Sequence, residues 1–230
     1  MKQNQMKVEK LEEISNTVIN GDINHIQSTI QKAINEKISA QDILEYGLIT
    51  GMTVVGNKFK TGEMFIPEVM AASQAMHRGI EMISSQLSSQ KTFYKGTMIL
   101  GTVRGDIHDI GKTLVKIILQ GGGFKVIDLG INVASERFIQ EIKNQNAQIL
   151  GLSALLSTSM LEMGEVIKQL KIAQLRDKIK VIVGGAPVTA RFAEDIGADA
   201  YAPDAGSALE EVKVLLGIKE KTSKNGENQC

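Results

Sequence analysis

The chain has 230 residues, 43% hydrophobic and 23% charged, enough for one large domain or two small ones that each bury a core. Its 26 Lys and Arg balance 26 Asp and Glu, so net charge supplies no drive toward nucleic acid or an anionic membrane. The single cysteine, Cys230, is the last residue, which argues against an internal disulfide or a cysteine-cluster metal site and suits a reducing cytoplasm.

The opening residues, MKQNQMKVEKLEE, are polar and charged, and no stretch approaches 18 consecutive apolar residues, so neither an export signal nor a membrane span is expected. From Val8 to about Leu87 the apolar residues recur three and four apart: Val8, Leu11, Ile14, Val18; then Ile23, Ile26, Ile30, Ile34; then Ile43, Leu44, Leu48, Met52, Val55, Phe59. Asn20-Gly21-Asp22 breaks the first pair and supplies a cap, Ser39 or Asp42 caps the third helix, and Thr61-Gly62 with Pro67 divides the third from a fourth. The spacing predicts a four-helix bundle over residues 1–90, ending in the polar stretch from Ser84 to Gln90.

Beyond it, short β-type runs alternate with amphipathic segments of helical length: Thr97 to Val103, Lys125 to Leu129, Ile149 to Leu155, Lys180 to Val183, and a weak run at Ala200 to Ala202. All but the last are apolar almost throughout, as parallel strands covered on both faces should be. Residues 91–218 therefore read as a doubly wound, five-stranded parallel sheet of order 2-1-3-4-5, and the polar residues 219–230 as a disordered tail. Such a sheet binds ligands outside the carboxyl ends of the strands flanking the switch point, here the loops after strands 1 and 3.

The first of these loops reads Gly105-Asp106-Ile107-His108-Asp109-Ile110-Gly111-Lys112 and leads into a helix from Thr113 to Leu119, closed by Gly121-Gly122-Gly123. Asp106 stands close enough to His108 to accept a hydrogen bond from one ring nitrogen and leave the other as a ligand. No second His, Cys or carboxylate cluster lies at zinc spacing, and one protein ligand points to a metal arriving in its own macrocycle. The loop after strand 3, Ser153-Ala154-Leu155-Leu156-Ser157-Thr158-Ser159-Met160, supplies a neutral polar lining, and strand 4 ends in Gly184-Gly185, where a flat group could lie against bare backbone. Taken alone, His108 would more often be structural, Ser159 is equally placed to cap a helix beginning near Met160, and Phe59 and Ile66 sit at core spacing; His25 and His77 are read as structural.

At Asp106-Ile107-His108-Asp109-Ile110-Gly111, Ser153-Ala154-Leu155 and Gly184-Gly185 the sequence resembles cobalamin-binding domains with Asp-x-His-x-x-Gly, Ser-x-Leu and Gly-Gly motifs, in that family's order and near its spacing. The first half resembles the helical cap of methyl-transferring corrinoid proteins at Gly51-Met52, Val55-Gly56, Phe59, Gly62-Glu63 and Pro67-Glu68-Val69. The resemblance covers nearly the whole chain and is to the cognate corrinoid proteins of methylamine, quaternary-amine and methanol methyltransferase systems, relatives of the cobalamin module of methionine synthase.

The resemblance implies that cobalamin, or a related corrinoid, is bound base-off with His108 as the axial cobalt ligand. Its nucleotide tail would enter a slot formed by Ser153, Leu155, Ser157, Gly184 and Gly185. Asp106 would orient His108, Ser159 would hydrogen-bond to Asp106, Gly111 would let the backbone approach the corrin, and Phe59 and Ile66 would be cap contacts. The chain would take a methyl group on Co(I) from a substrate:corrinoid methyltransferase and pass it from methyl-Co(III) to a folate or thiol methyltransferase. An ATP-dependent reductive activator would serve as a further partner, and the chain would not be catalytic alone. The Ser153 to Met160 stretch leans toward the amine systems over methanol. A subunit of an adenosylcobalamin-dependent mutase and a cobalamin-dependent sensor are the alternatives; the cap argues against the first and the absence of a basic output module against the second. A phosphoryl-accepting receiver would want a carboxylate where Ser153 stands.

Overall fold

A computed structural model describes residues 2–87 and 94–218. The last residues of the polar stretch that ends the helical half, and the whole of 219–230, lie outside the described residues. The helical half consists of α1 (Lys2–Ile19), α2 (Ile23–Asn35), a continuous rod and α5 (Ile66–Leu87); the rod joins α3 (Ala40–Asp42), a π-helical stretch (Ile43–Ile49) and α4 (Thr50–Lys60). Asp22 caps α2 by accepting from the His25 amide. Of the two candidates for the third cap, Ser39 does the work, its hydroxyl accepting from the Asp42 amide. The periodic rows bury their middles and expose their starts: Leu11, Ile14, Val18, Ile26 and Ile30 are buried, whereas Val8 and Ile23 stand in solvent. The π-helical stretch carries no sequence signature. It coincides with close contact between the rod and α1, where a Cβ on Gly47 would lie 2.8 Å from Ile14 and one on Gly51 2.7 Å from the Ser15 carbonyl.

The second half has strands β1 (Thr97–Thr102), β2 (Lys125–Asp128), β3 (Ile149–Ser153), β4 (Lys180–Gly184) and β5 (Ala200–Ala202), all parallel in the expected order 2-1-3-4-5. The connecting helices are α6 (Ile110–Gly121), α7 (Ser135–Gln145), α8 (Leu161–Ile172), α9 (Ala190–Ile196) and α10 (Ala205–Leu215). Alternate β1 side chains go to opposite faces: Met98 and Leu100 join a core with α6 and α10, while Ile99 joins one with α7, α8 and α9. The first core is continuous with the interior of the bundle, running from Ile14 and Ile30 through Met52 and Val55 to Ile118, Leu119 and Val212. The helical half is therefore packed onto the α6 and α10 face of the sheet. No helix among the described residues is long and apolar enough to cross a membrane.

Several element ends differ from the sequence reading by a residue or more, and two of these differences shape the switch point. Helix α6 starts at Ile110, earlier than Thr113, because Gly111 masks the first turn from a propensity argument. Strand β3 stops at Ser153, short of Leu155, because the Leu155 and Leu156 amides leave the ladder and donate to a side chain of another loop.

The contact between halves is tight at Gly121, where a Cβ would lie 1.9 Å from Met52 Cγ. Gly121→Ala is expected to lower stability by about 1–3 kcal/mol through overpacking, although alanine is the better helix former by about 1 kcal/mol. In urea unfolding, a double-mutant cycle with Met52→Ala should show a coupling of about 1 kcal/mol or more; additive costs would contradict the packing.

Candidate functional site

The loop after β1 is built around a buried carboxylate. After Val103, which makes a single bridge to Val133, the chain turns at Gly105 and brings Asp106 to complete burial, 0% exposed, beneath the carboxyl edge of the sheet. Asp106 Oδ1 accepts from the His108 amide at 3.0 Å and lies 2.7 Å from His108 Nδ1. Its Oδ2 accepts from the amides of Leu155 at 2.7 Å and Leu156 at 3.2 Å and from the Ser159 hydroxyl at 2.6 Å. Burial pushes the Asp106 carboxyl up, and it is the largest single influence. The Ser159 hydroxyl, the His108 and Leu155 amides and the His108 ring together outweigh it and hold the group well below the usual carboxylate range.

An ionised carboxylate only accepts, so Nδ1 of His108 is the donor, and in the neutral ring Nε2 carries the lone pair. Nε2 has no hydrogen-bond partner among the described residues, and the side chain is 45% exposed. The backbone of His108 is held at both ends, its amide by Asp106 and its carbonyl by the hydroxyl of buried Thr102 at 2.9 Å. Ser159 spends its hydroxyl on Asp106 and on the Leu156 carbonyl and gives no side-chain cap to α8.

Beside His108 a cavity of about 640 Å³ opens between the carboxyl ends of the strands and helices α6 and α10. Ser153, Leu155, Gly184 and Gly185 line it with His108 and Gly111, and Phe59 reaches it from the bundle; its floor is apolar, including Met98, Leu100 and Ile182. Ser157 is exposed outside this lining, Ile66 is 40% exposed at the start of α5, also outside it, and Asp106 and Ser159 lie behind His108. His25 and His77 are exposed and line no part of it. No cluster of three or more His, Cys, Asp or Glu able to hold a metal occurs among the described residues.

The glycines divide by cause. At Gly185, with φ +126°, a Cβ would fall 1.8 Å from the Ala154 carbonyl, and at Gly184 2.8 Å from that of Ala202, so the neighbouring backbone already requires glycine there. At Gly111 a Cβ would meet nothing within 4 Å. Packing does not demand glycine at Gly111; its absent side chain leaves the surface beside the histidine flat.

The sequence reading names Leu155 but not Ile107, Ile110 or Leu156, the other exposed apolar residues around the histidine. Ile107 is 71% exposed, Ile110 69%, Leu155 45% and Leu156 42%, an apolar surface of the kind that marks a binding site. Its signal was available, since a loop with isoleucine on both sides of a histidine places apolar side chains where loops are usually polar. The residues present fit a flat, largely apolar macrocycle with one nitrogen ligand below it: an oriented imidazole, an apolar surround, and a cavity of the size that takes a small-molecule appendage.

Fold and site together define a cofactor-binding doubly wound module joined to a helical bundle, and comparison with known proteins gives the same class. A family model described as B12 binding domain matches residues 96–213, and a second of the same description matches residues 10–84. A corrinoid protein of Desulfitobacterium hafniense strain Y51 is 40% identical over 90% of this chain and 97% of its own length. Dimethylamine corrinoid protein 2 of Methanosarcina acetivorans is 39% identical over 91% and 97%, and the trimethylamine corrinoid protein of Methanosarcina barkeri is 40% identical over 84% and 89%. Among solved structures, a cobalamin-binding protein from Desulfitobacterium hafniense DCB-2 superposes with a TM-score of 0.75 at 28% identity, covering 89% of this chain and 98% of that one. A chain of the methanol:cobalamin methyltransferase complex of Methanosarcina barkeri superposes with a TM-score of 0.82 at 28% identity, covering 92% and 81%. The chain belongs to the B12-binding corrinoid protein family.

Replacing Asp106 by Asn removes the charge that these donors converge on, and Asp106→Asn is expected to cost about 3 kcal/mol in urea unfolding at pH 7. Because the folded-state pKa is depressed, the contribution is complete above roughly pH 5 and is lost as pH falls below about 4. Wild-type stability should therefore fall more steeply with acid than that of Asp106→Asn, and parallel curves would contradict this.

Proposed function

We propose that this chain is the corrinoid carrier of a methyl-transfer system, in which cobalamin would be held base-off with His108 as the cobalt ligand from the protein. The observation that carries the reading is the Asp106–His108 pair: a buried carboxylate fixes Nδ1, so Nε2 is the ring nitrogen left for a metal, beside an apolar surface and a cavity. When bound, the corrin's cobalt supplies the chemistry, accepting a methyl group as a nucleophile in its reduced state and giving it up again. The protein orients, shields and tunes. Asp106 and Ser159 would set the direction and basicity of the ligand, Ile107, Ile110 and Leu155 would keep water from the bound ring, and Ser153, Leu155, Gly184 and Gly185 would receive the nucleotide tail. Ser157 and Ile66 have a weaker claim to contact, since both lie outside the cavity lining.

Residues 1–90 form the cap in this reading, residues 91–218 the cobalamin-binding unit and residues 219–230 a tail. Phe59, at the junction, is the cap side chain best placed to respond when the bundle moves aside for a partner. The partners are a substrate:corrinoid methyltransferase that charges the carrier, a folate or thiol methyltransferase that discharges it, and an ATP-dependent reductive activator. The dimethylamine and trimethylamine relatives support a methylated amine as the donor. The bundle favours this carrier over a radical-mutase subunit, since a relative named as a corrinoid protein aligns with 90% of the chain, more than the sheet half alone.

Wild-type protein reconstituted anaerobically with methylcobalamin should retain about one cofactor per chain after gel filtration, with a base-off spectrum whose axial-ligand features His108→Ala changes. A folded wild-type protein that retains no cobalamin would refute the reading.

A further inference from the structure

Lys112, four residues after His108, is 3% exposed in the first turn of α6, a costly place for an ammonium group because the helix dipole there disfavours a cation. Its Nζ donates to Asp128 Oδ1 at 2.5 Å. Asp128 ends β2, its Oδ1 also accepts from the Gly130 amide at 3.0 Å, and Lys116 approaches Oδ2 at 3.6 Å. The segment following Asp128 grips the same loop from the other end. Gly105 donates to Asn132 Oδ1 at 2.8 Å, and the Asn132 amide donates to the Asp106 carbonyl at 2.9 Å. Both sides of His108 are thus tied to one stretch, Asp128 to Asn132, before it by Gly105 and Asp106 and after it by Lys112.

A buried ion pair often stabilises no more than apolar residues of the same volume, so its placement calls for a role other than stability. We propose that Lys112 and Asp128 are positioning residues for His108: the pair sets the seat of the first turn of α6, and hence where the imidazole stands relative to the corrin. This rests on the function proposed above.

The test is the double variant Lys112→Met/Asp128→Asn, which removes both charges of the pair, keeps an amide oxygen for the Gly130 donor and should melt within a few degrees of wild type. Its cobalamin affinity should fall about tenfold or more. In the Co(II) state, the electron paramagnetic resonance splitting from an axial nitrogen, dominant in wild type, should shrink to a minor component. A folded double variant with wild-type affinity and full nitrogen splitting would overturn the proposal. If that variant does not fold, Asp128→Glu decides: it keeps both charges but displaces Nζ, and should reduce the nitrogen splitting, whereas an unchanged signal overturns the proposal. Wild-type protein lacking a His108-dependent signal would refute the carrier reading itself and this inference with it; a normal wild type with unaffected variants refutes the positioning role alone.

Discussion

The buried carboxylate of Asp106 is the constraint on which the rest of the site depends. A charge removed from water is costly unless every lone pair is used, and here one oxygen serves the loop after β1 while the other serves the loop after β3. That division decides several features at once. It ends β3 at Ser153 by drawing the Leu155 and Leu156 amides out of the ladder, occupies the Ser159 hydroxyl, and leaves His108 with one nitrogen committed and one uncommitted.

The fold makes this meeting possible. In the order 2-1-3-4-5 the connections from β1 and β3 leave toward opposite faces of the sheet, α6 to one and α8 to the other, so the loops part above a gap that no crossover fills. The site occupies that gap. On the α6 side the bundle shares the sheet's core, and this continuity carries Phe59 to the cavity although it lies far from the histidine in sequence. In the carrier reading proposed above, the ligand is fixed by a rigid sheet edge and the cover is a helical layer that shares its core with that sheet.

Much of this was legible from residues alone because local pattern and global fold agree. Apolar runs of strand length separated by helical segments leave few topologies, and the Asp-x-His spacing permits a carboxylate–imidazole bond without knowledge of the rest. What escaped has physical causes. The π-helical stretch from Ile43 to Ile49 coincides with tight packing at Gly47 and Gly51, a tertiary contact invisible to periodicity. Gly184 and Gly185 were legible as glycines but not as to cause, since crowding by the Ala154 and Ala202 backbone exists only in three dimensions. Ile66 sits at core spacing yet is 40% exposed at the start of α5, where Val69 of the same turn takes the buried position. The Lys112–Asp128 pair joins residues 16 apart across a crossover, a distance at which no local rule operates.

The most direct test of the central claim is a crystal structure of the protein with cobalamin bound, using the anomalous signal of cobalt. The account predicts a cobalt peak within bonding distance of His108 Nε2, with Asp106 still on Nδ1 and the cofactor's own base displaced into the cavity. Cobalt bound elsewhere, or still carrying its own base above an unligated His108, would contradict it.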